Sequence, residues 1–424
     1  VCFSIRFSLG FVLVGDLTHL SSTHGQTCRN SKRSSGASPR RATSPRTSRT
    51  PLGSCANHLS RLLRGRFSER GPAASAESGL PPPSLIRPGH EIVAVASRTH
   101  ERAADFAQQC CPGAQVRTYA SYSEMAADAT LEVDAIYVAT PAHMHCEMVL
   151  ENMAFGRATL CEKPLGTNFG EVEACFKASK QHGTLLMEGM WTRCFPATVE
   201  ARRLLHEERI LGDIIGVQAE FGYCIKNGCP DGIRGSSSTG GMSRDIGIYM
   251  MEKTLLAYPV DLFQATSTHA VAVKGLGDGV DLTVSASIHF RRKADAETTT
   301  EENAGGVASL LYTGLCDTTE TARFIGTHGS LYFDAMHHAP TSIIVNRRVS
   351  RTETVQERHV FAPPMDDGLH KWNYPGSISL QYEALAVART FRAGQISVDE
   401  WTHDDTLAAH AILQDVHASL DLQH

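Results

Sequence analysis

Three residue types in this chain are spaced as a group of proton-transfer residues would be. Lys163 lies in the motif CEKPLG (161–166), directly after a short apolar run. Because proline cannot continue the hydrogen-bond ladder of a central strand, that strand has to end at Glu162 and Lys163. Asp245 and Tyr249 lie four residues apart, which places both side chains on one face if their segment is helical.

Proton transfer from an alcohol is the chemistry that these residue types suit. A tyrosine hydroxyl accepts such a proton when its pKa falls toward neutrality, and the ammonium of Lys163 would lower that pKa electrostatically. Asp245 would orient the pair and keep the lysine charged. Alternatively, Lys163 is a surface lysine beside a turn, and Asp245 and Tyr249 are a helix cap and a core aromatic residue. The strands and helices that carry these residues help to decide between the catalytic and the structural interpretation.

Strands and helices alternate around the CEKPLG motif. Strands are expected at 91–96, 135–140, 158–161 and 184–187, and helices at 101–109, 144–155 and 170–181. This alternation predicts a Rossmann-like, doubly wound parallel sheet with right-handed crossovers. Two strands then end together, at Thr140-Pro141 and at Glu162-Lys163. Since ligands of such sheets bind at the carboxyl edge, we expect a nucleotide crevice there.

The second half of the chain has the alternating pattern of half-buried strands. Strands are expected at 216–221, 281–290, 307–312, 322–325 and 330–333. The polar stretch 292–306 is expected to form a long hairpin loop, and helices are expected at 382–392 and 404–420.

Composition limits the functions open to these 424 residues. The net charge is −5, but residues 1–83 carry 12 Lys and Arg against 3 Asp and Glu, whereas the rest carries 28 against 42. The net negative charge of residues 84–424 does not favour nucleic acid as a partner. No apolar run reaches the length of a membrane span. The 12 cysteines form no CxxC pair, which is typical of free thiols in a reducing, cytoplasmic compartment.

The N-terminal segment differs from the rest in composition. From residue 16 to residue 83 it is rich in Ser, Arg, Pro and Ala, and such a segment buries too little apolar surface to offset the entropy lost on ordering. We expect residues 1–83 to be a disordered, low-complexity basic segment or a misread start of the gene. Since transit peptides share this bias, organellar targeting is an alternative to the cytoplasm.

A series of motifs resembles those of the glucose-fructose oxidoreductase (Gfo/Idh/MocA) family, and within it the branch of dimeric dihydrodiol dehydrogenases. The motifs are HEIVAVASR (90–98), CEKPLG (161–166), MEGMWTRCFP (187–196), GG (240–241), DIGIY (245–249), GVD (279–281), THGS (327–330) and YEA (382–384). The combination of EKP with a later DIGIY is specific to the family, and WTRxFP points to the diol dehydrogenase branch.

The resemblance implies a Rossmann-like NADP-binding domain at 84–196. It implies a second domain at 197–424, an α/β domain with an open, mainly antiparallel sheet that binds substrate and forms a homodimer. Lys163, Asp245 and Tyr249 match the positions that the family uses for catalysis. Further cofactor contacts are expected from Thr140, Pro141, His145, Glu162 and Lys163.

The end of the second Rossmann strand favours NADP over NAD. Ser97 and Arg98 follow this strand, where an acidic residue would bond the ribose 2′-hydroxyl of NAD. A guanidinium can instead form bidentate hydrogen bonds with a 2′-phosphate. An arginine in a solvated turn is the alternative interpretation of Arg98.

The start of the predicted Rossmann domain departs from the family pattern. Such a domain opens with a strand and a Gly-x-Gly-x-x-Gly turn that holds the pyrophosphate. The stretch 66–88 has no such turn, and the nearest apolar run, 11–15, lies far upstream and is followed by Asp16. The sequence therefore predicts that the first strand and the glycine-rich loop are missing, and that dinucleotide affinity is impaired.

Substrate contacts are expected just after the strand at 184–187. Trp191 would stack on a planar or sugar ring, and Arg193 would face the crevice; Trp191 as an interdomain core residue is the alternative. Arg234 and Phe195 are weaker candidates of the same kind. No metal is expected, because the closely spaced histidines at 143 and 145 lack a third ligand.

Together these features predict an NADP-dependent oxidoreductase that takes a hydride from a vicinal trans-dihydrodiol or from a xylose-type sugar hydroxyl. Another sugar dehydrogenase of the same family is the nearest alternative. An impaired relative, kept as a binding or dimerising protein, is the second alternative. The missing glycine-rich loop favours that alternative, and the intact Lys163, Asp245 and Tyr249 argue against it.

Overall fold

The computed structural model describes residues 2–7, 10–15, 90–111, 113–225, 240–275, 279–293, 305–364 and 377–421, the first two segments by backbone path alone. The strands are β1 (Cys2–Phe7), β2 (Gly10–Gly15), β3 (His90–Ala96), β4 (Arg117–Tyr119), β5 (Ala135–Ala139), β6 (Ala158–Glu162), β7 (Leu186–Gly189), β8 (Ile214–Gly222), β9 (Phe263–Lys274), β10 (Asp281–Arg292), β11 (Gly305–Thr313), β12 (Ala322–Gly326), β13 (Gly329–Phe333), β14 (Ser342–Arg348) and β15 (Thr354–Val360). The α-helices are α1 (His100–Cys110), α2 (Tyr122–Ala127), α3 (His145–Ala154), α4 (Phe169–His182), α5 (Pro196–His206), α6 (Met242–Asp245), α7 (Gly247–Ala257), α8 (Gln381–Arg392) and α9 (His403–Asp421).

The first sheet has seven strands in the order β4-β3-β1-β2-β5-β6-β7. Parallel pairing of β3 with β4, of β5 with β2 and β6, and of β6 with β7 confirms the predicted doubly wound fold. Side chains of β5 alternate between two cores: Ile136 and Val138 pack toward α3 and α4, and Tyr137 packs in the core shared with the second sheet. Burial on both faces is what a parallel sheet covered on both sides requires.

The strand β2 corrects one detail of the predicted sheet. Gly10–Gly15 pairs in parallel with β5, and β1 runs antiparallel to β2 and β3, so strands fill the place that we expected to be empty. A gap between β3 and β5 would leave two rows of backbone groups unpaired, and the apolar run 11–14 closes it. The sequence after Gly15 still contains no Gly-x-Gly-x-x-Gly turn. The predicted disorder of 16–83 lies outside the described residues.

The second sheet has eight strands in the order β15-β14-β13-β12-β8-β11-β10-β9. Its neighbours are antiparallel except for β8 and β11, as the resemblance implied. The five predicted strands correspond to β8 and β10–β13, whereas β9, β14 and β15 were not predicted. The helix α9 packs on β9 and α7 and also reaches α4 and β7, so it connects the two sheets.

Candidate functional site

The carboxyl ends of β5 and β6 lie side by side, as the sequence predicted. Thr140 and Lys163 follow these strands and therefore meet at one edge of the sheet. Glu162 accepts a hydrogen bond from the Tyr137 hydroxyl on the neighbouring strand. Burial raises the pKa of Glu162, although the bond from Tyr137 and the charge of Lys163 act in the other direction.

Lys163 is fixed by Asp245, the last residue of α6. Its ammonium lies 3.1 Å from Asp245 Oδ1 and 2.5 Å from the Asp245 carbonyl oxygen. The other carboxylate oxygen accepts a hydrogen bond from the Tyr223 hydroxyl. The two charged side chains are 17% and 16% exposed, so this ion pair remains accessible from the crevice.

Asp245 and Tyr249 lie on two short helices rather than on one. The helix α6 ends at Asp245, α7 begins at Gly247, and the N–H of Tyr249 donates to the carbonyl of Ile246, at 3.1 Å. Lys163 connects the two side chains, because its ammonium bonds Asp245 and lies 5.1 Å from the centre of the Tyr249 ring. The structure thus brings Lys163, Asp245 and Tyr249 together.

The Tyr249 hydroxyl accepts a hydrogen bond from the Trp191 indole N–H, at 2.9 Å. Burial raises the pKa of Tyr249 well above its ordinary value, the charge of Glu162 adds to the rise, and the bond from Trp191 opposes it. This direction is opposite to the fall that we expected from Lys163, whose ammonium lies over the ring of the tyrosine. With Lys163 over its ring, the phenol of Tyr249 therefore keeps its proton.

The predicted cofactor residues lie at the ends of β3 and β5. Ser97 is buried and its N–H donates to the Tyr119 carbonyl at 3.2 Å, while Arg98 beside it is exposed. The buried Thr140 hydroxyl has no hydrogen-bond partner in the described part of the chain, and Pro141 leads from it into a short 3₁₀ turn. An orphaned hydroxyl and an exposed guanidinium at the carboxyl edge fit a dinucleotide. The segment that would meet the pyrophosphate lies outside the described residues.

His145 has a different place from the one predicted. Its ring is buried, with Nδ1 2.7 Å from the Pro164 carbonyl and Nε2 2.8 Å from the Thr140 carbonyl. Burial lowers the pKa of His145. Both ring nitrogens face backbone carbonyl oxygens, and the neutral ring donates its one N–H to one of them. His145 therefore ties the ends of β5 and β6 together, with both nitrogens turned away from a nicotinamide or a substrate.

Trp191 and Arg193 follow β7 in a short 3₁₀ helix but have different surroundings. Trp191 bonds Tyr249, whereas Arg193 Nε lies 2.8 Å from the Glu252 carboxylate and its guanidinium lies 4.9 Å from the centre of the Trp401 ring. Arg193 is thus in the core rather than in the crevice, because Glu252 supplies a buried counter-charge. Phe195 packs against Trp191, and Arg234 lies outside the described residues.

Two buried carboxylates near the site were not singled out from the sequence. Glu188, on β7, accepts hydrogen bonds from the Leu165 N–H, from Trp401 and from His410, at 2.8, 3.0 and 2.8 Å. Burial alone would raise its pKa, but His410 and these bonds together hold the pKa below its ordinary value. Glu383 has an oxygen without a described partner, and burial, with the charge of Glu162, raises its pKa well above the usual range. Their positions in the MEGMWTRCFP and YEA motifs were the available signal.

Among the described residues, no group of three or more His, Cys, Asp and Glu side chains has an arrangement that could hold a metal ion. No helix in the same ranges is long and apolar enough to cross a membrane.

Comparison with known proteins extends these observations to sequence relatives. Residues 74–190 match the model of an oxidoreductase family with an NAD-binding Rossmann fold. A trans-1,2-dihydrobenzene-1,2-diol dehydrogenase of Danio rerio is 31% identical over 77% of this chain and 86% of the relative. The Mus musculus protein of the same name is 33% identical, over 73% of this chain and 83% of its own length.

Solved structures share the fold at lower identity. An NAD-binding oxidoreductase from Klebsiella pneumoniae has a TM-score of 0.64 at 17% identity, covering 81% of this chain and 91% of that one. A levoglucosan dehydrogenase in complex with NADH and levoglucosan has a TM-score of 0.62 at 19% identity, covering 78% and 88%. The 3-ketoreductase KijD10 from Actinomadura kijaniata, with NADP and TDP-benzene, has a TM-score of 0.59 at 22% identity, covering 78% and 90%. The chain belongs to the Gfo/Idh/MocA oxidoreductase family, which confirms the resemblance.

Proposed function

We propose that this member of the Gfo/Idh/MocA oxidoreductases is an NADP-dependent dehydrogenase that oxidises a vicinal trans-dihydrodiol or a xylose-type sugar hydroxyl. The observation that carries the proposal is the convergence of Lys163, Asp245 and Tyr249 at the carboxyl edge of the parallel sheet. The dihydrodiol dehydrogenases at 31% and 33% identity suggest the substrate class. The absence of an acidic residue at Ser97-Arg98 supports NADP.

Each residue of the site has a part in the proposed reaction. The nicotinamide, when bound, accepts the hydride. Tyr249 takes the proton of the hydroxyl as its phenolate, after its own proton has left to solvent, and Trp191 orients the phenol through its N–H bond. Burial raises the pKa of Tyr249, so the phenolate needs a positive charge nearby, and Lys163, whose ammonium lies 5.1 Å from the centre of the ring, would supply it. Asp245 keeps the ammonium charged and in place.

The test is NADPH formation by the full chain with a trans-dihydrodiol and with D-xylose as separate substrates. Turnover of either one that is lost in Lys163→Met and kept in Lys177→Met supports the proposal. Lys177 is a matched control because it is an exposed lysine on α4. Turnover of neither substrate by the unaltered chain would overturn it.

A second candidate function is that of an impaired relative retained as a binding or dimerising protein. The specific observation in its favour is the sequence after Gly15, which lacks the Gly-x-Gly-x-x-Gly turn. Cofactor titration separates the two candidates, since an impaired relative binds neither NADP nor NAD. Re-reading the encoding DNA upstream of residue 84 for an exon that carries this turn is the cheapest check.

The homodimer is also a proposal, supported by one face of the second sheet. Val271 on β9 and Leu311 on β11 lie on either side of Ser285, and they are 57% and 46% exposed. An exposed apolar face of this kind marks an interface, and a second copy is the occupant that we propose. Sedimentation of Leu311→Asp should give monomers, whereas Val360→Asp, on the edge strand β15, should remain dimeric.

Free thiols at the described cysteines fit a cytoplasmic location, which also stays a proposal.

A further inference from the structure

A second histidine lies beside Tyr249, on the segment that follows β13. The ring of His338 stacks on Phe221, with 5.0 Å between centroids and 10° between planes. The same ring is 5.9 Å from the ring of Trp191 and 6.2 Å from the ring of Tyr249. His338 thus belongs to the same group of aromatic rings as Trp191 and Tyr249, the two residues joined by the hydrogen bond at the Tyr249 hydroxyl.

The orientation of His338 is fixed by its neighbours. Its Nδ1 forms a hydrogen bond with the Glu320 carboxylate, and its carbonyl oxygen accepts a bond from the Thr192 hydroxyl at 2.5 Å. A carboxylate can only accept, so Nδ1 carries the proton, and in the neutral form of the ring Nε2 is then an acceptor. No described residue bonds Nε2, and the His338 and Glu320 side chains are 13% and 14% exposed.

The backbone around this pair is held in an uncommon conformation. Glu320 has a φ of 59° and Met336 a φ of 47°, both in the left-handed region that side chains other than glycine rarely adopt. The N–H of His337 donates to the Glu320 carbonyl at 3.0 Å, which joins the two loops. Such conformations cluster at functional sites, where surrounding contacts hold them. This observation is independent of the ring contacts and points to the same two loops, which carry Glu320 and His338.

We propose that His338, held by Glu320, is a substrate-contacting residue whose Nε2 accepts a hydrogen bond from the second hydroxyl of a vicinal diol. The inference rests on the proposed function, in which Tyr249 receives the proton of the first hydroxyl. It deepens that function, because it makes two neighbouring hydroxyls the feature that this site recognises. An alcohol with one hydroxyl leaves Nε2 without its partner, which a site built for hydrogen bonding penalises.

A purely structural hydrogen bond between His338 and Glu320 makes a different prediction. It would stabilise the loops and treat alcohols with one and two hydroxyls alike. His145 is such a structural histidine, since both of its nitrogens face backbone carbonyl oxygens and neither faces a ligand. Discrimination between the two classes of alcohol therefore separates the two roles of His338.

The experiment compares trans-1,2-cyclohexanediol with cyclohexanol on the full chain and on His338→Phe. Phenylalanine keeps a flat ring to stack on Phe221 and removes the acceptor nitrogen. Calorimetric binding and NADPH formation are both measured with each compound, and thermal melting checks the fold. We expect His338→Phe to weaken binding of the diol by about tenfold and binding of cyclohexanol by less than about twofold.

A second pair of variants keeps the test decisive if His338→Phe does not fold. Glu320→Gln keeps an acceptor for Nδ1–H and should retain most of the preference for the diol, whereas Glu320→Leu should lose it. Binding that discriminates through His338 without any turnover would leave the inference standing and remove the proposed function. An unaltered chain that does not prefer the diol, or a preference unchanged in these variants, overturns the inference.

Discussion

Two groups of ion-paired side chains flank Tyr249, and they differ in their exposure to solvent. The pair Lys163–Asp245 is 17% and 16% exposed and lies at the sheet edge. The cluster of Arg193, Glu252 and Lys253 is at most 4% exposed, with ion-pair distances of 2.8 and 2.7 Å to the Glu252 carboxylate. Glu252 lies only three residues after Tyr249 on α7, so one helix carries both the tyrosine of the site and the carboxylate of the closed cluster.

This difference separates charges that do chemistry from charges that stabilise the fold. Burying an ion costs several kcal/mol unless a partner of opposite charge accompanies it. In the closed cluster Glu252 is that partner for both Arg193 and Lys253, and burial lowers the pKa of Lys253. Lys163 keeps a route to the crevice, so its charge can act on a bound molecule. Arg193 has no such route, although the sequence placed both residues just after a strand end.

The largest effect that tests this comparison is the loss of turnover in Lys163→Met and Tyr249→Phe. Removing a positioned proton-transfer group typically lowers the rate by about 10²–10⁴-fold, and we expect each variant to fall in that range. Steady-state NADPH formation measures the rate, and thermal melting should show little change because Lys163 is partly exposed.

The double variant of Lys163 and Tyr249 checks whether the two act as one unit. In that case it should be scarcely slower than the slower single variant, because the effects of such residues are not additive. Near-normal turnover of Tyr249→Phe would contradict the assignment and direct attention to His338, since both nitrogens of His145 are engaged.

The closed cluster should show the reverse pattern, a large loss of stability. Glu252→Gln leaves the guanidinium of Arg193 and the ammonium of Lys253 buried without their counter-charge. Breaking a buried ion pair in this way costs about 3–5 kcal/mol of unfolding free energy. Urea denaturation measures it, with Glu208→Gln on an exposed pair with Arg203 as the control, where we expect less than about 1 kcal/mol. Equal losses in the two variants would contradict the distinction between closed and open pairs.

Local features of the sequence were enough to predict the parallel sheet and its edge. The proline after Lys163 and the alternation of apolar runs with helical segments act over a few residues, so they can be read directly. The same holds for β8 and for β10–β13, whose side chains alternate between the core and the other face.

Long-range partners explain the features that the sequence did not predict. Arg193 is buried because Glu252 lies 59 positions further on, and His145 is held by the carbonyl of Pro164 on another loop. The strand β2 pairs with β5 across more than a hundred residues, so its place in the sheet has no local signal. The pair of Glu320 and His338 comes from two loops of the second sheet and likewise becomes visible only in three dimensions.

Arg98 is an exposed charge at the edge where we expect the cofactor to bind. For this residue we expect an effect of intermediate size, on cofactor preference. It is exposed at the end of β3, so Arg98→Asp should reduce the preference for NADP over NAD by about tenfold to a hundredfold with little change in stability. Fluorescence titration of both cofactors measures the preference, and Arg291→Asp, at an exposed arginine on β10 of the other sheet, is the control. An unchanged preference, or NAD bound as tightly as NADP by the unaltered chain, would show that Arg98 does not read a 2′-phosphate. Binding of neither cofactor would favour the impaired relative instead.

The smallest effect that we expect is a pH dependence of the unfolding free energy, and it comes from a buried histidine near the closed cluster. Burial lowers the pKa of His337 well below its ordinary value of 6.5, and the charge of Lys253 adds to the fall. The unfolded chain therefore binds a proton that the folded chain does not, so stability is complete above pH 6.5 and declines below it. For one histidine the slope is at most about 1.4 kcal/mol per pH unit.

Urea denaturation between pH 7.5 and pH 5.5 measures this slope, and His337→Leu should make it shallower by about one proton. Buried histidines elsewhere, His145, His206 and His403, have pKa values lowered by burial and contribute with the same sign, so part of the slope should remain. A variant at an exposed histidine, His182→Leu at the end of α4, is the control and should leave the slope unchanged. Equal slopes in His337→Leu and in the unaltered chain would mean that acid reaches His337 without unfolding, and that the cluster around Lys253 is not closed.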